Sequence, residues 1–194
     1  MNIYDISQEV FSGSIFPGDT APSYKKTKKM EAGDSYNLSD LQMCVHNGTH
    51  IDAPAHFISG GKTIEEIELS RCIGPARVIE IKGVITANHI REKVANNGKR
   101  ILFKGQGVLT LDTVSELNKL GIVLVGTESQ TIGNEENCQA IHLDLLKKDV
   151  VILEGLVLKE VPEGTYFLFA APLKLGGLEG SPCRAILIDK FQRQ

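Results

Sequence analysis

A chain of 194 residues, 42% hydrophobic and 23% charged, has the balance of an ordinary globular protein and room for one domain spanning 1–194. Its formal net charge of −3 supplies no basic field for nucleic acid or an anionic membrane surface, and no apolar run reaches the length of a membrane span. The opening MNIYDISQEVFSG lacks the basic and apolar regions of a signal peptide, so a cytoplasmic protein is expected.

The first sixty residues are rich in turn formers, namely Gly13, Pro17-Gly18-Asp19, Pro22, Gly33-Asp34 and Asn47-Gly48, and predict hairpins and loops. Residues 77–82 (RVIEIK) predict the first buried strand, and residues 86–96 a helix. Residues 110–120 predict a second helix. Thr110 and Asp112 are its candidate N-caps, Leu111, Val114, Leu117 and Leu120 its apolar stripe, and Gly121 its C-cap. That helix feeds a strand at 122–126 (IVLVG). A short helix at 142–148, with Leu143, Leu145 and Leu146 for apolar contacts, precedes strands at 150–153, 166–170 and 185–188. The alternation implies a mixed α/β fold whose sheet order one sequence does not reveal.

Cysteines 44, 72, 138 and 183 form no CxxC pair, which argues against a zinc ribbon or a redox site. The default reading is four small, mostly buried hydrophobes in a reducing compartment. Cys44 stands two residues from His46, so a thiol near the site is the alternative.

Five histidines occur, at 46, 50, 56, 89 and 142, and three of them share the run HNGTHIDAPAH with Asp52. Imidazole nitrogen and carboxylate oxygen together suit zinc, manganese or iron. His46 and His50 have helical spacing, but Asn47-Gly48 is a turn signal and Pro54 a helix breaker. On an extended chain His46, His50, Asp52 and His56 would share one face, and Gly48 would let the backbone approach a metal or substrate. A lone histidine is usually structural, and an Asp beside a proline turn is often only a turn former. The concentration of all four favours a metal site. His89 stands alone in a polar segment and reads as structural or solvated. No Gly-x-Ser-x-Gly occurs, and Ser181 sits in a Gly-Ser-Pro turn, not a nucleophile elbow.

The segment His46 to Phe57, HNGTHIDAPAHF, resembles the HxGTHxDxPxHF signature of the cyclase-like metal-dependent hydrolases, the family of bacterial kynurenine formamidase and isatin hydrolase. Further similarities lie in Asp5-Ile-Ser7, Phe16-Pro-Gly-Asp19, Gly126-Thr-Glu-Ser129, His142 with Leu145-Leu146, Glu154 with Leu156, and Gly180-Ser-Pro-Cys-Arg184. The resemblance implies a swivelling β/β/α fold and homodimers or homotetramers. It implies that His46, His50 and Asp52 ligate a first metal, that Asp52 bridges to a second, and that His142 and Glu154 complete it. His56 would be the acid/base residue. Zinc is the expected metal and manganese the alternative, as one or two ions. Read from the sequence alone, Glu154 closes an apolar strand, where its partner would be either a metal or a cation such as Arg184.

The chain departs from that pattern in carrying Glu128 where an aspartate is usual and Gly155 where an asparagine is usual. It also lacks an aromatic-rich loop between Ile101 and Gly121, and contains no tryptophan. The expected activity is hydrolysis of an amide, formamide, or cyclic amide or imide of a small molecule. The alternatives are a ring-forming or ring-opening cyclase and a non-catalytic metal-binding protein on the same fold.

Overall fold

The computed structural model describes residues 1–94, 98–105 and 107–189. The strands, in chain order, are β1 (Ile3–Asp5), β2 (Ser23–Lys28), β3 (Leu38–Gln42), β4 (His50–Asp52), β5 (Ile73–Glu80), β6 (Gly83–Ile85) and β7 (Arg100–Lys104). They continue with β8 (Gly107–Leu109), β9 (Leu124–Thr127), β10 (Val151–Glu154), β11 (Gly164–Phe169), β12 (Gly180–Pro182) and β13 (Ile186–Ile188). The helices are α1 (Leu69–Cys72), α2 (Ala87–Val94), α3 (Leu111–Lys119) and α4 (Cys138–Leu146).

One mixed sheet runs in the order β1-β13-β11-β5-β7-β9-β10-β4-β12. Its centre, β5-β7-β9-β10, is parallel, as helical connections require. Antiparallel strands extend it on both sides: β11, β13 and β1 beyond β5, and β4 and β12 beyond β10. This is a mixed α/β architecture.

The central strands are apolar on both faces because each face carries its own core. Val78, Leu102, Leu124, Val151 and Leu153 point into one cluster, together with Ile51, Leu168 and Leu187. Their neighbours Ile79, Ile101, Phe103, Val125 and Ile152 point into the other, against Ile90, Val114, Leu117, Ile141 and Leu145 from α2, α3 and α4. The twofold alternation therefore has a functional consequence. Ile51 and Leu153 face the first core, so His50, Asp52 and Glu154 face the side on which α4 packs.

The expected elements are present with shifted ends. Thr110 caps α3, its hydroxyl accepting the Thr113 N–H at 3.3 Å, and Gly121 follows the helix. The helix expected at 142–148 begins earlier, at Cys138, which places His142 inside it instead of at its start. The helix expected at 86–96 is described only as far as Val94; residues 95–97 lie outside the described residues. In the turn-rich N-terminal stretch, β2 and β3 form a ribbon exposed almost throughout, with Tyr24 edge-on to Phe11 at 5.2 Å between ring centroids.

Candidate metal centre and active site

The extended reading of the histidine run holds only for its middle. His50 and Asp52 sit on β4 and share a face. His46 instead comes from a turn that Asn47 closes: its side-chain oxygen accepts the Cys44 N–H at 2.9 Å, and its own N–H donates to the Cys44 carbonyl at 3.1 Å. His56 ends a single 3-10 turn, Pro54–His56, where Pro54 occupies the first helical position. The local preferences of Asn47 and Pro54 thus override a continuous strand. The turns still return all three imidazoles to one cavity of about 230 Å³, which His46, His50 and His56 line together with His142 and Glu154.

His142 arrives from α4 and Glu154 from the end of β10. The sheet register sets Ile152 opposite Asp52 and Glu154 opposite His50. Asp52 is fully buried at the centre. Its Oδ1 lies 3.0 Å from His46 Nδ1 and 3.4 Å from His50 Nε2, and its Oδ2 lies 3.5 Å from His142 Nε2. Glu154 bridges the other side, 3.4 Å from both His50 Nε2 and His142 Nε2. Arg184 does not pair with Glu154; it forms an exposed ion pair with Asp5.

The backbone fixes the two inner imidazoles. The Nδ1–H of His50 donates to the Gly48 carbonyl at 3.0 Å, and that of His142 to the Cys138 carbonyl at 2.8 Å. Each bond leaves Nε2 aimed at the carboxylates, the tautomer a metal ligand needs. Glu154 Oε1 accepts the Ile132 N–H at 2.6 Å, which orients that carboxylate. Gly180 lies so close beneath His46 that a Cβ there would meet the ring at 2.7 Å. Glu128, by contrast, accepts the N–H groups of Gly105 and Leu158 at 2.7 and 2.8 Å and serves the fold, tying two loops together.

The electrostatics suit a cation. Burial alone would lower His50 and His142, but their ion pairs with Asp52 and Glu154 outweigh it, pushing His50 up to about 10 and His142 up to about 12. Burial would raise Asp52, yet His142, His46 and His50 around it hold it well below the usual carboxylate range. Burial lowers His56, favouring a neutral ring at neutral pH. The buried Asp52 Oδ2 and His46 Nε2 have no hydrogen-bond partner, an arrangement costly unless something else fills the coordination.

Two sets of donor atoms, His46-His50-Asp52 and Asp52-His142-Glu154, each lie within 4.8 Å of one another and share the Asp52 carboxylate. The residues fit a divalent metal, either one ion or two spanned by Asp52. His89 is on the surface segment opening α2, where its Nδ1 accepts the Thr86 N–H at 3.2 Å.

Gln130, Thr131 and Cys138 line the cavity without any functional signal in the sequence. Cys138 was among four cysteines read as buried hydrophobes, yet its Sγ lies 3.5 Å from His142 Nδ1 and 3.2 Å from Thr131 Oγ1. Its spacing of four from His142 would have placed both on one helical face. Cys44, the thiol closer to the run in sequence, does not line the cavity. Phe57 stacks on His142 with ring centroids 4.4 Å apart, and Glu179 Oε1 stands 3.7 Å from His46 Nε2.

Comparison with known proteins agrees with this geometry. A family model described as "Putative cyclase" matches residues 4–136. Kynurenine formamidase of Erythrobacter litoralis is 34% identical over 200 residues, covering 95% of this chain and 93% of that protein. A solved structure described as a predicted metal-dependent hydrolase from Bacillus stearothermophilus superposes with a TM-score of 0.82 at 30% identity, covering 96% of this chain and 97% of that one. Isatin hydrolase A of Labrenzia aggregata, at 21% identity, shares the fold with a TM-score of 0.84 over 96% of this chain and 93% of its own. The chain belongs to the cyclase family of metal-dependent hydrolases.

Proposed function

We propose that this chain hydrolyses the C–N bond of a small formamide, amide or cyclic amide, using a divalent metal held by His46, His50, Asp52, His142 and Glu154. The observation that carries the reading is the pairing of two buried donor sets around Asp52 with His56, which neither set uses, on the wall of the same cavity. The likeness to kynurenine formamidase over nearly the whole chain supports the formamide class.

A divalent ion bound there supplies Lewis acidity, lowering the pKa of water and polarising a carbonyl. The protein's own part is positional. Asp52 and Glu154 hold their oxygens fixed through the β4–β10 register, and the backbone locks the rings of His50 and His142. His56, neutral and beside the ligand His46 at 4.1 Å between ring centroids, takes a proton from the attacking water and returns it to the leaving nitrogen. Three imidazole and two carboxylate ligands are a donor set for zinc first and manganese second.

A cytoplasmic site of action belongs to the same reading, supported by four cysteines that are all free. So does a homodimer or homotetramer, supported by the apolar side chains that the β2–β3 ribbon and its flanks expose, among them Phe11, Tyr24, Leu38 and Leu41.

The test is metal content of protein purified without chelator, beside His50→Ala, followed by a screen of formamides and lactams. Stoichiometric metal lost in the variant, with metal-dependent hydrolysis in the wild type, supports the reading. Bound metal without hydrolysis of any amide would make this a metal-binding protein instead.

A further inference from the structure

We propose that Asp19 determines substrate choice by binding a cationic nitrogen group, with the Phe16 ring against the apolar part of the same molecule. The inference rests on the reading of this cavity as the substrate site.

The sequence Phe16-Pro17-Gly18-Asp19 builds the feature locally. Pro17 presets φ for the second turn position, Gly18 takes φ +102° at the third, and the Asp19 N–H donates to the Phe16 carbonyl at 3.0 Å. This is the pattern of a type II turn, which brings its first and fourth residues together. Both of those residues, Phe16 and Asp19, line the cavity that holds the metal-ligand cluster. The turn therefore brings an aromatic ring and a carboxylate to the same cavity.

Elimination assigns the role. Four of the side chains that line the cavity, His46, His50, His142 and Glu154, are engaged in the proposed metal binding, and His56 in proton transfer. The others that line it are Phe16, Asp19, Phe57, Gln130, Thr131 and Cys138. Among these only Asp19 is an uncommitted carboxylate. It is half-buried, and no cation or donor among the described residues reaches its oxygens. Among the described residues, no lysine or arginine lines the cavity to receive a substrate carboxylate. Away from the metal, an anionic substrate group would meet Asp19 with no lysine or arginine among the described residues beside it, whereas an ammonium or guanidinium would find a free counter-charge there. The volume, about 230 Å³, lies below the roughly 300–1,000 Å³ of sites for drug-sized ligands, so the molecule is small. The chemical class is thus a compact amide with a positively charged nitrogen substituent.

The test uses metal-loaded protein and two inert probes of one shape, benzylguanidinium and neutral benzylurea, titrated by calorimetry at low salt. Wild type is expected to bind the guanidinium roughly tenfold more tightly than the urea. Asp19→Asn should bring that ratio near one, and Asp19→Glu should keep most of it. An unchanged ratio in Asp19→Asn would overturn the proposal, as would an equal loss for both probes, which would mark Asp19 as a turn residue only. Failure of both probes to bind wild type would overturn it too. Hydrolysis plays no part in these titrations. Formamide hydrolysis with an unchanged probe ratio would reject Asp19 alone, and selective guanidinium binding without any hydrolysis would reject the enzyme reading alone.

Discussion

Glu154 stands directly opposite His50 in the antiparallel β10–β4 pair, and their side chains meet at 3.4 Å on the face covered by α4. The contact depends on register. A slip of one residue between these strands would turn Glu154 or His50 into the opposite core.

The Glu154→Gln substitution keeps the volume and removes the charge. It should lower metal affinity by about a hundredfold or more, read by metal analysis after dialysis against a weak chelator. Asp52→Asn should be more severe, because both donor sets lose their shared carboxylate. Full metal occupancy in Asp52→Asn would remove Asp52 from the ligand set.

His56 contributes to neither donor set, so His56→Ala should retain wild-type metal content. Its turnover should fall by roughly 10²–10⁴, the usual worth of a positioned acid/base group. Retention of the full rate would rule out the acid/base role.

Metal binding should compete with protons. In the metal-free protein His50 is pushed up to about 10 and His142 up to about 12, so both are protonated at neutral pH and a metal must expel those protons. Metal affinity should therefore rise from pH 6 to pH 8, with proton release visible in calorimetry as a dependence on buffer ionisation enthalpy. For the metal-free fold the sign follows from the raised values. Their stabilisation is complete below the unfolded-state histidine pKa of about 6.5, and it is lost as pH rises through about 10. The metal-free protein should melt at a lower temperature at pH 10 than at pH 7.

Gly155 has φ +67°, and a Cβ there would collide with the Gly48 carbonyl oxygen. Gly48 in turn accepts the bond that orients His50. Gly155→Ala should cost roughly 1–3 kcal/mol of stability in a denaturant melt and weaken metal binding as well. An asparagine tolerates the backbone angle but carries the same Cβ, so Gly155→Asn should also destabilise this chain.

Leu41 is 59% exposed on the β2–β3 ribbon and pairs across it with Tyr24. A two-stranded ribbon is marginal by itself in water, and burial against another copy would stabilise it. Light scattering should give a dimer or tetramer for the wild type and a smaller species for Leu41→Glu. A monomeric wild type would remove the oligomer from the proposal.

The strands at 122–126 and 150–153 were legible because a strand buried on both faces has to be a short apolar run. The helix α3 was legible from its Thr110 cap and threefold leucine spacing. The even spacing of His50 and Asp52 gave their common face, since side chains alternate along a strand whatever it pairs with. The same rule failed for His46 and His56, because hydrogen bonding by Asn47 and the fixed φ of Pro54 turned the chain on either side of β4. Cys138 went unnoticed because a cysteine's ordinary place is the core, and its proximity to Thr131 arises from a loop packed against α4.

By itself the sequence determined the family, the chemistry of the donor atoms and the local turns, all of which depend on residues close together along the chain. Only the tertiary structure decided which distant groups meet. The β4–β10 register put Glu154 opposite His50, the packing of α4 against the sheet brought His142 to Asp52, and the Pro17-Gly18 turn took Asp19 to the same cavity. Such meetings follow from the burial of two cores on opposite faces of one sheet, a property of the whole chain that no short segment encodes.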